Sequence, residues 1–196
     1  MEWFFNDLIK KKEFEKEIKL EIEQAMHNIK VHFEFFKSRF SGGKWNWTSL
    51  MGPDKKKVIE HFPVSQFISG IRGQEIEKLW REFFRLYKIL RTPFLSDQEI
   101  DTFEIDAKNW IRTFYRATEG NYNSTSQKPE LYRKQDVTPY MHVFAQHMHQ
   151  FMRQLKIKNL SLRLFSTSSI EKKNHNQVIY VYLKNSNLFY FLITLT

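Results

Sequence analysis

The chain of 196 residues contains no cysteine, six glycines and five prolines. Without thiols there is no disulfide scaffold, no Cys-type zinc finger, no iron–sulfur cluster and no thiol nucleophile. Any bound metal has to be held by His, Asp, Glu or carbonyl oxygen. There is no run of 18 apolar residues, so no ordinary transmembrane helix is expected. The closest stretch, Val178 to Thr196, is split by Lys184-Asn185-Ser186-Asn187 and reads as a hairpin. A tail anchor would carry that charge and three polar groups to mid-bilayer at high cost. A secretory signal is not expected either, because Met1–Leu8 is acidic as well as aromatic and Lys10-Lys11-Lys12 interrupts it. A Gly-rich phosphate loop, a nucleophile elbow, an HExxH and any internal repeat are all missing.

Acid is scarce in one region only. Residues 1–40 carry eight basic and eight acidic groups, residues 41–120 carry thirteen and eleven, and residues 121–196 carry ten and three. Nearly all of the formal charge of +9 therefore lies in the last 76 residues. Such asymmetry favours a polyanionic partner for that part, of which nucleic acid is the commonest.

Aromatic material is plentiful, with 19 Phe and 16% aromatics overall. That argues against a disordered chain. The length suits one domain, or one domain with an appended subdomain, able to bury about 70% of its unfolded surface. Ile18, Ile22, Ala25, Met26, Ile29, Phe33 and Phe36 recur at helical spacing and predict a helix over 2–40, ended by Ser41-Gly42-Gly43. Gly52-Pro53 starts a short helix over 53–61. Ser69-Gly70 and Gly73 mark a break before a helix over 74–91, which Thr92-Pro93 stops. Ser96-Asp97-Gln98-Glu99 is a capping box that opens a helix over 96–118. A polar loop fills 121–137. Thr138 and Pro139 then start a helix to about Leu155. Leu160–Phe165 reads as a short strand, and Ser168-Ser169 caps a short helix from Ile170 to Asn176. Val178–Leu183 and Leu188–Leu195 read as paired strands. The expected class is mainly α: a multi-helix bundle with a short C-terminal β hairpin. The expected organisation is a helical domain over 1–120, the loop, a His/Glu motif region over 138–176 and a hairpin-like tail over 177–196.

One constellation stands out. His142, His147 and His149 cluster within eight residues. On an ideal helix His142 and His147 lie about 140° apart, and His142 and His149 about 10.5 Å apart along the axis. Neither pair is by itself a zinc site, so the His are either ordinary hydrogen-bonding residues or ligands completed by another segment. Glu171 is the only acid after Asp136 and stands among Lys156, Lys158, Arg163, Lys172 and Lys173. A lone carboxylate in a basic field is either a salt-bridge partner or a group that holds a divalent cation beside phosphate.

The order Tyr140-x-His142, four residues, His147, about twenty residues, then Glu171-x-x-Asn174 resembles the C-terminal end of RNase H-fold (DDE) transposases. The nearest are the Transib-type transposases and the catalytic subunit of the V(D)J recombinase. The run Trp47-Thr48-Ser49-Leu50-Met51-Gly52-Pro53-Asp54-Lys55 and the pair Leu79-Trp80 are similar to features of related transposon-derived proteins. The resemblance implies that His142 and His147 bind structural zinc. It implies that Glu171 is the last acid of the catalytic triad, working with magnesium, and it implies a nuclear location. The chain departs from the pattern in four ways, one being that Val178–Thr196, where the family continues as a helix, reads as an aromatic and β-branched run. Met148-His149 replaces a Pro after the second His, the zinc-binding Cys pair is missing, and no acid upstream sits in a strand pattern. Asp97, Asp101 and Asp106 instead lie in one helix.

Two-metal phosphoryl transfer needs carboxylates from more than one segment. The expectation is therefore a catalytically incomplete transposase fragment, DNA-binding through Lys156, Lys158, Arg163, Lys172 and Lys173. The alternative is a helical protein–protein interaction module whose apolar stripe over 14–36 binds a partner helix. A working enzyme would need its missing acids from another chain, so a homo-oligomer stays open.

Overall fold

The computed structural model describes residues 1–11, 14–37, 43–120, 127–128 and 130–165. They form eight α-helices, short π and 3-10 turns, and one two-stranded antiparallel sheet, so the mainly helical class holds. Among the described residues no helix is long and apolar enough to cross a membrane. The chain divides into two units, Met1–Arg81 and Glu82–Thr196.

In the first unit the single helix expected over 2–40 does not form. The chain makes α1 (Glu2–Ile9), a π turn (Phe14–Ile18), α2 (Lys19–Asn28) and then a strand, β1 (Phe35–Lys37). The end of α2 is set by a Schellman motif. Lys30 adopts the left-handed conformation with φ 59. Its N–H donates to the His27 carbonyl at 2.9 Å, and the Val31 N–H donates to the Met26 carbonyl at 3.0 Å. Lys57 Nζ donates to the carbonyl of Lys30 at 2.8 Å. Beyond this turn the burial period changes from helical to two: Val31, Phe33 and Phe35 are buried, while His32, Glu34 and Phe36 are exposed. That alternation is what a half-buried strand requires.

β1 pairs antiparallel with β2 (Trp45–Trp47), with Phe35 opposite Trp47 and Lys37 opposite Trp45. Glu23 of α2 accepts a hydrogen bond from the Phe35 N–H at 2.7 Å. The hairpin among the described residues is thus at 35–47, and the hairpin expected over 177–196 lies outside them. Phe4, Phe5, Phe14, Phe33, Phe35 and Phe62 make the core with Ile22, Met26 and Val58. Their rings meet edge to face, as between Phe14 and Phe35 and between Phe33 and Phe35, both at 4.9 Å. Such pairs add about 0.5–1.5 kcal/mol each beyond burial. Of the expected partner-binding stripe, Phe14, Ile22, Met26 and Phe33 are buried in this unit, Ile18, Ala25 and Ile29 are half-buried and Phe36 is exposed.

α3 (Gly52–His61) starts at Gly52-Pro53 as the sequence predicts. Arg81 closes its far end, donating to the carbonyls of Ile59 at 2.5 Å and Phe62 at 2.8 Å. A cation at orphan carbonyls is favoured there. Glu77 accepts from the Ser65 N–H at 2.9 Å and hydroxyl at 2.7 Å at the start of α4 (Val64–Phe67). Burial opposes ionisation of Glu77, yet these bonds and Arg81 hold its carboxyl below the usual range. α5 (Gly70–Leu90) begins at Gly70, φ +75, and runs through Gly73 without the expected break. Gly73 serves close packing instead: a Cβ there would lie 1.7 Å from the Ile68 carbonyl oxygen.

The second unit is built on the later turns of α5 with α6 (Asp97–Phe114), α7 (Pro139–Gln146) and α8 (Met148–Ile157). The capping box forms as read from the sequence: Ser96 Oγ accepts from the Glu99 N–H at 3.2 Å, and Glu99 Oε2 accepts from the Ser96 N–H at 2.7 Å. Leu86, Ile100, Phe103, Ala107, Ile111, Phe144, Ala145 and Met148 are buried. α6 ends at Phe114, whose ring stacks on Tyr132 at 4.6 Å and whose carbonyl accepts from the Tyr132 N–H at 3.1 Å.

The single helix expected from Thr138 to Leu155 is broken at His147. The strand expected over Leu160–Phe165 is a 3-10 turn at Leu162–Phe165. A second Schellman motif precedes it, with Asn159 at φ 54 and the Leu160 N–H donating to the Leu155 carbonyl at 2.8 Å. The Leu164 N–H then bonds the Ser161 carbonyl at 3.1 Å, a local bond in place of a ladder.

Candidate metal centre

Thr138 caps α7, its hydroxyl accepting from the Met141 N–H at 3.3 Å, and Pro139 occupies the first turn. The helix runs until the His147 N–H donates to the Val143 carbonyl at 2.9 Å. At His147 the backbone leaves the helical region, with φ −123 and ψ −20, and its carbonyl starts α8 by accepting from Gln150 at 3.0 Å and Phe151 at 3.2 Å. This break changes the geometry that an unbroken helix imposes. The imidazoles of His142 and His147 meet edge to face with centroids 5.3 Å apart and planes at 66°. Two imidazoles on one tetrahedral zinc, with Zn–N of about 2.0–2.1 Å, have centroids about 5 Å apart. The centroid separation of the pair is close to that spacing. His142 is exposed and His147 half-buried, so the pair opens to solvent. Among the described residues no group of three or more His, Asp or Glu is gathered to hold a metal ion.

His149 does not join the pair. It is buried, 4% exposed, with Nε2 at 3.3 Å from Glu104 Oε1 and Nδ1 without a hydrogen-bond partner. Burial pushes its pKa down and Glu104 opposes this, while Lys108, Arg153 and His147 add to the lowering. Glu104 is the centre of this cluster. It accepts from Lys108 Nζ at 2.5 Å and from Arg153 Nη2 at 2.9 Å. Those two cations, against a smaller opposing effect of burial, hold its carboxyl down at about 2.

The same face carries two further pairs between α6 and α8. Arg153 Nη2 reaches Asp101 at 2.6 Å, and Lys156 Nζ reaches Asp97 at 2.7 Å. Asp106 pairs with Arg85 at 2.5 Å. Asp97, Asp101, Glu104 and Asp106 of α6 are therefore each engaged by a base while Glu99 serves the Ser96 cap, and Lys156, expected at phosphate, is an ion-pair partner within the unit. Lys158 stands exposed at the end of α8. The backbone of Arg163 lies in the final 3-10 turn. Glu171, Lys172 and Lys173 lie outside the described residues.

Arg153 and Glu104 escaped the reading of the sequence as site residues, though a signal for them exists. Asp97, Asp101 and Glu104 are spaced by four and three residues, and so are His149, Arg153 and Lys156. Equal spacing of opposite charges on two helices marks complementary stripes.

No family model, no curated protein and no solved structure matches this chain. Its function is accordingly argued from the site's own chemistry.

Proposed function

We propose that the chain is a catalytically incomplete, transposase-derived module that holds DNA by phosphate contacts and takes a zinc ion at His142 and His147. The observation that carries this reading is the approach of the two imidazoles to 5.3 Å across the break between α7 and α8. A pair of neutral imidazoles suits zinc, and the remaining positions would fall to water or to groups outside the described residues. Bound there, zinc is structural and ties the turn at His147. Phosphate contact falls to Lys158, Arg163, Lys172 and Lys173, with a smaller share for Lys156 because Asp97 already neutralises it. Contacts of this kind carry strong salt dependence and little base specificity. DNA is the partner, and the nucleus the place where it is met. Cleavage is not part of the reading. A magnesium site would need Glu171 together with acids supplied by another chain, since Asp97, Asp101 and Asp106 of α6 are committed to ion pairs.

The test is duplex binding by fluorescence anisotropy across a salt series, with and without zinc, beside metal analysis of the purified chain. The expected result is one bound zinc that His142→Ala removes. A salt slope should also appear that flattens when Lys158, Arg163, Lys172 and Lys173 become Gln, while Lys156→Gln alone changes little. No binding at low salt removes the DNA reading. Zinc uptake unchanged by His142→Ala removes the metal site.

A further inference from the structure

Between Asp136 and Glu171 the chain carries four bases, Arg153, Lys156, Lys158 and Arg163, and no acid. Two of them, Arg153 and Lys156, are met by carboxylates of α6. Arg153 Nη2 donates to Asp101 Oδ1 at 2.6 Å and to Glu104 Oε2 at 2.9 Å, so one guanidinium spans two anionic groups. Nearly one turn further along α8, Lys156 Nζ donates to Asp97 Oδ1 at 2.7 Å. A guanidinium takes carboxylate and phosphate oxygens with the same planar fork, and an ammonium takes either as a point charge. Asp97, Asp101 and Glu104 follow one another at four- and three-residue spacing. On a helix that makes a row of anions at steps of about 6 Å and about 4.5 Å along the axis. A DNA strand also presents its anions in a row, one per about 3.4 Å of axis.

The three acids do not play one part. Glu104 is 24% exposed, also accepts from Lys108 and lies beside the buried His149, so it belongs to the packing of the two helices. Asp97 and Asp101 are 81% and 60% exposed, and the bases they hold are 39% and 41% exposed. Ion pairs this open are weak and screened by salt, so a phosphate can take the carboxylate's place. The start of α6 does not depend on either acid's side chain, because Ser96 and Glu99 make the capping box. What these two carboxylates change is the charge that the face of α8 shows to solvent.

We propose that Asp97 and Asp101 mask the basic face of α8, standing in for DNA phosphate at Lys156 and Arg153. With the two acids neutralised, Lys156 and Arg153 become phosphate contacts beside Lys158. This rests on the reading that the chain holds DNA, and adds to it a built-in limit on how tightly it does so. Two withheld contacts lower the affinity and flatten its dependence on salt.

The test is a titration of labelled duplex across a salt series, read by fluorescence anisotropy, with the full chain and with Asp97→Asn/Asp101→Asn. The expected result is binding about tenfold tighter near about 100 mM salt and a log–log salt slope steeper by about 1.8, two contacts at about 0.9 each. Adding Lys156→Gln and Arg153→Gln to that variant should return both values to those of the unchanged chain. Glu21→Gln/Glu34→Gln removes the same charge from exposed acids of the first unit and should leave the slope where it was. Circular dichroism checks that each variant is folded. If the double variant unfolds, Asp97→Asn alone, at the most open of the acids, should still steepen the slope by about 0.9. Duplex binding whose slope is indifferent to Asp97→Asn/Asp101→Asn overturns the mask and keeps the DNA reading. Equal changes from the two pairs of acids overturn it as well, since net charge would then be the cause. No binding at low salt by the chain and the variant alike removes both readings.

Discussion

The two units solve the same problem, burial of aromatic and aliphatic side chains, by different means. The first packs rings on rings from short elements whose ends are fixed by contacts far along the chain, such as Lys57 on Lys30 and Arg81 on Ile59 and Phe62. The second packs longer helices with local caps and lines one face with a ladder of charge from Asp97–Lys156 to Glu104–Arg153. The lesson is that periodicity identifies a helix when apolar residues are sparse enough to mark one face. When Phe recurs every second or third residue, helix and strand templates both fit, and the tertiary partners choose between them.

Three changes break or sharpen this comparison. The largest effect is expected for Gly73→Ala in the first unit. In an open helix that change would stabilise by about 1 kcal/mol. Here the added methyl meets the Ile68 backbone, and the expected cost is about 2–3 kcal/mol in urea unfolding. A gain in stability would show that the close approach is not held in solution.

Next is Glu104→Gln in the second unit. The Glu104 carboxyl sits at about 2, below its ordinary 4.5, because the folded state favours its charged form. Its contribution is therefore complete above about pH 4.5 and lost as pH falls towards 2. The variant should lose about 1 kcal/mol at neutral pH, since solvent and salt screen a partly open pair. It should also show a flatter acid limb between those values. An acid limb identical to that of the unchanged chain would mean that other carboxylates carry it.

The smallest change is Lys30→Gly, which relieves a left-handed non-Gly residue and should stabilise by about 0.5–1 kcal/mol. Destabilisation would mean that the Lys30 side chain contributes more than its backbone strain costs.

Much of the fold was legible. The Ser96/Glu99 box and Thr138 with Pro139 placed helix starts correctly because a cap is satisfied by hydrogen bonds within four residues, and Gly52-Pro53 did so because proline's fixed φ suits the first turn. The end of α2 was not read, although the alternation of Val31, Phe33 and Phe35 with His32, Glu34 and Phe36 carried it. Helical spacing through Ile29, Phe33 and Phe36 competed with that alternation; the Schellman turn at Lys30 ends the helix, and pairing with Trp45–Trp47 takes up the strand beyond it. The candidate site was less legible still. The residues His142 and His147 stood out by type and spacing, but an unbroken helix would hold them about 140° apart.

The sequence alone therefore determined the helical class, the starts of the capped helices and which side chains carry imidazole or charge. Tertiary structure alone decided that the helix breaks at His147 and brings two imidazoles together, that Lys30 turns the chain into a strand, and that Lys156 meets Asp97. The physical reason is range. Caps close over three or four residues, whereas the Asp97–Lys156 pair joins groups 59 positions apart, and no local rule fixes which distant group arrives.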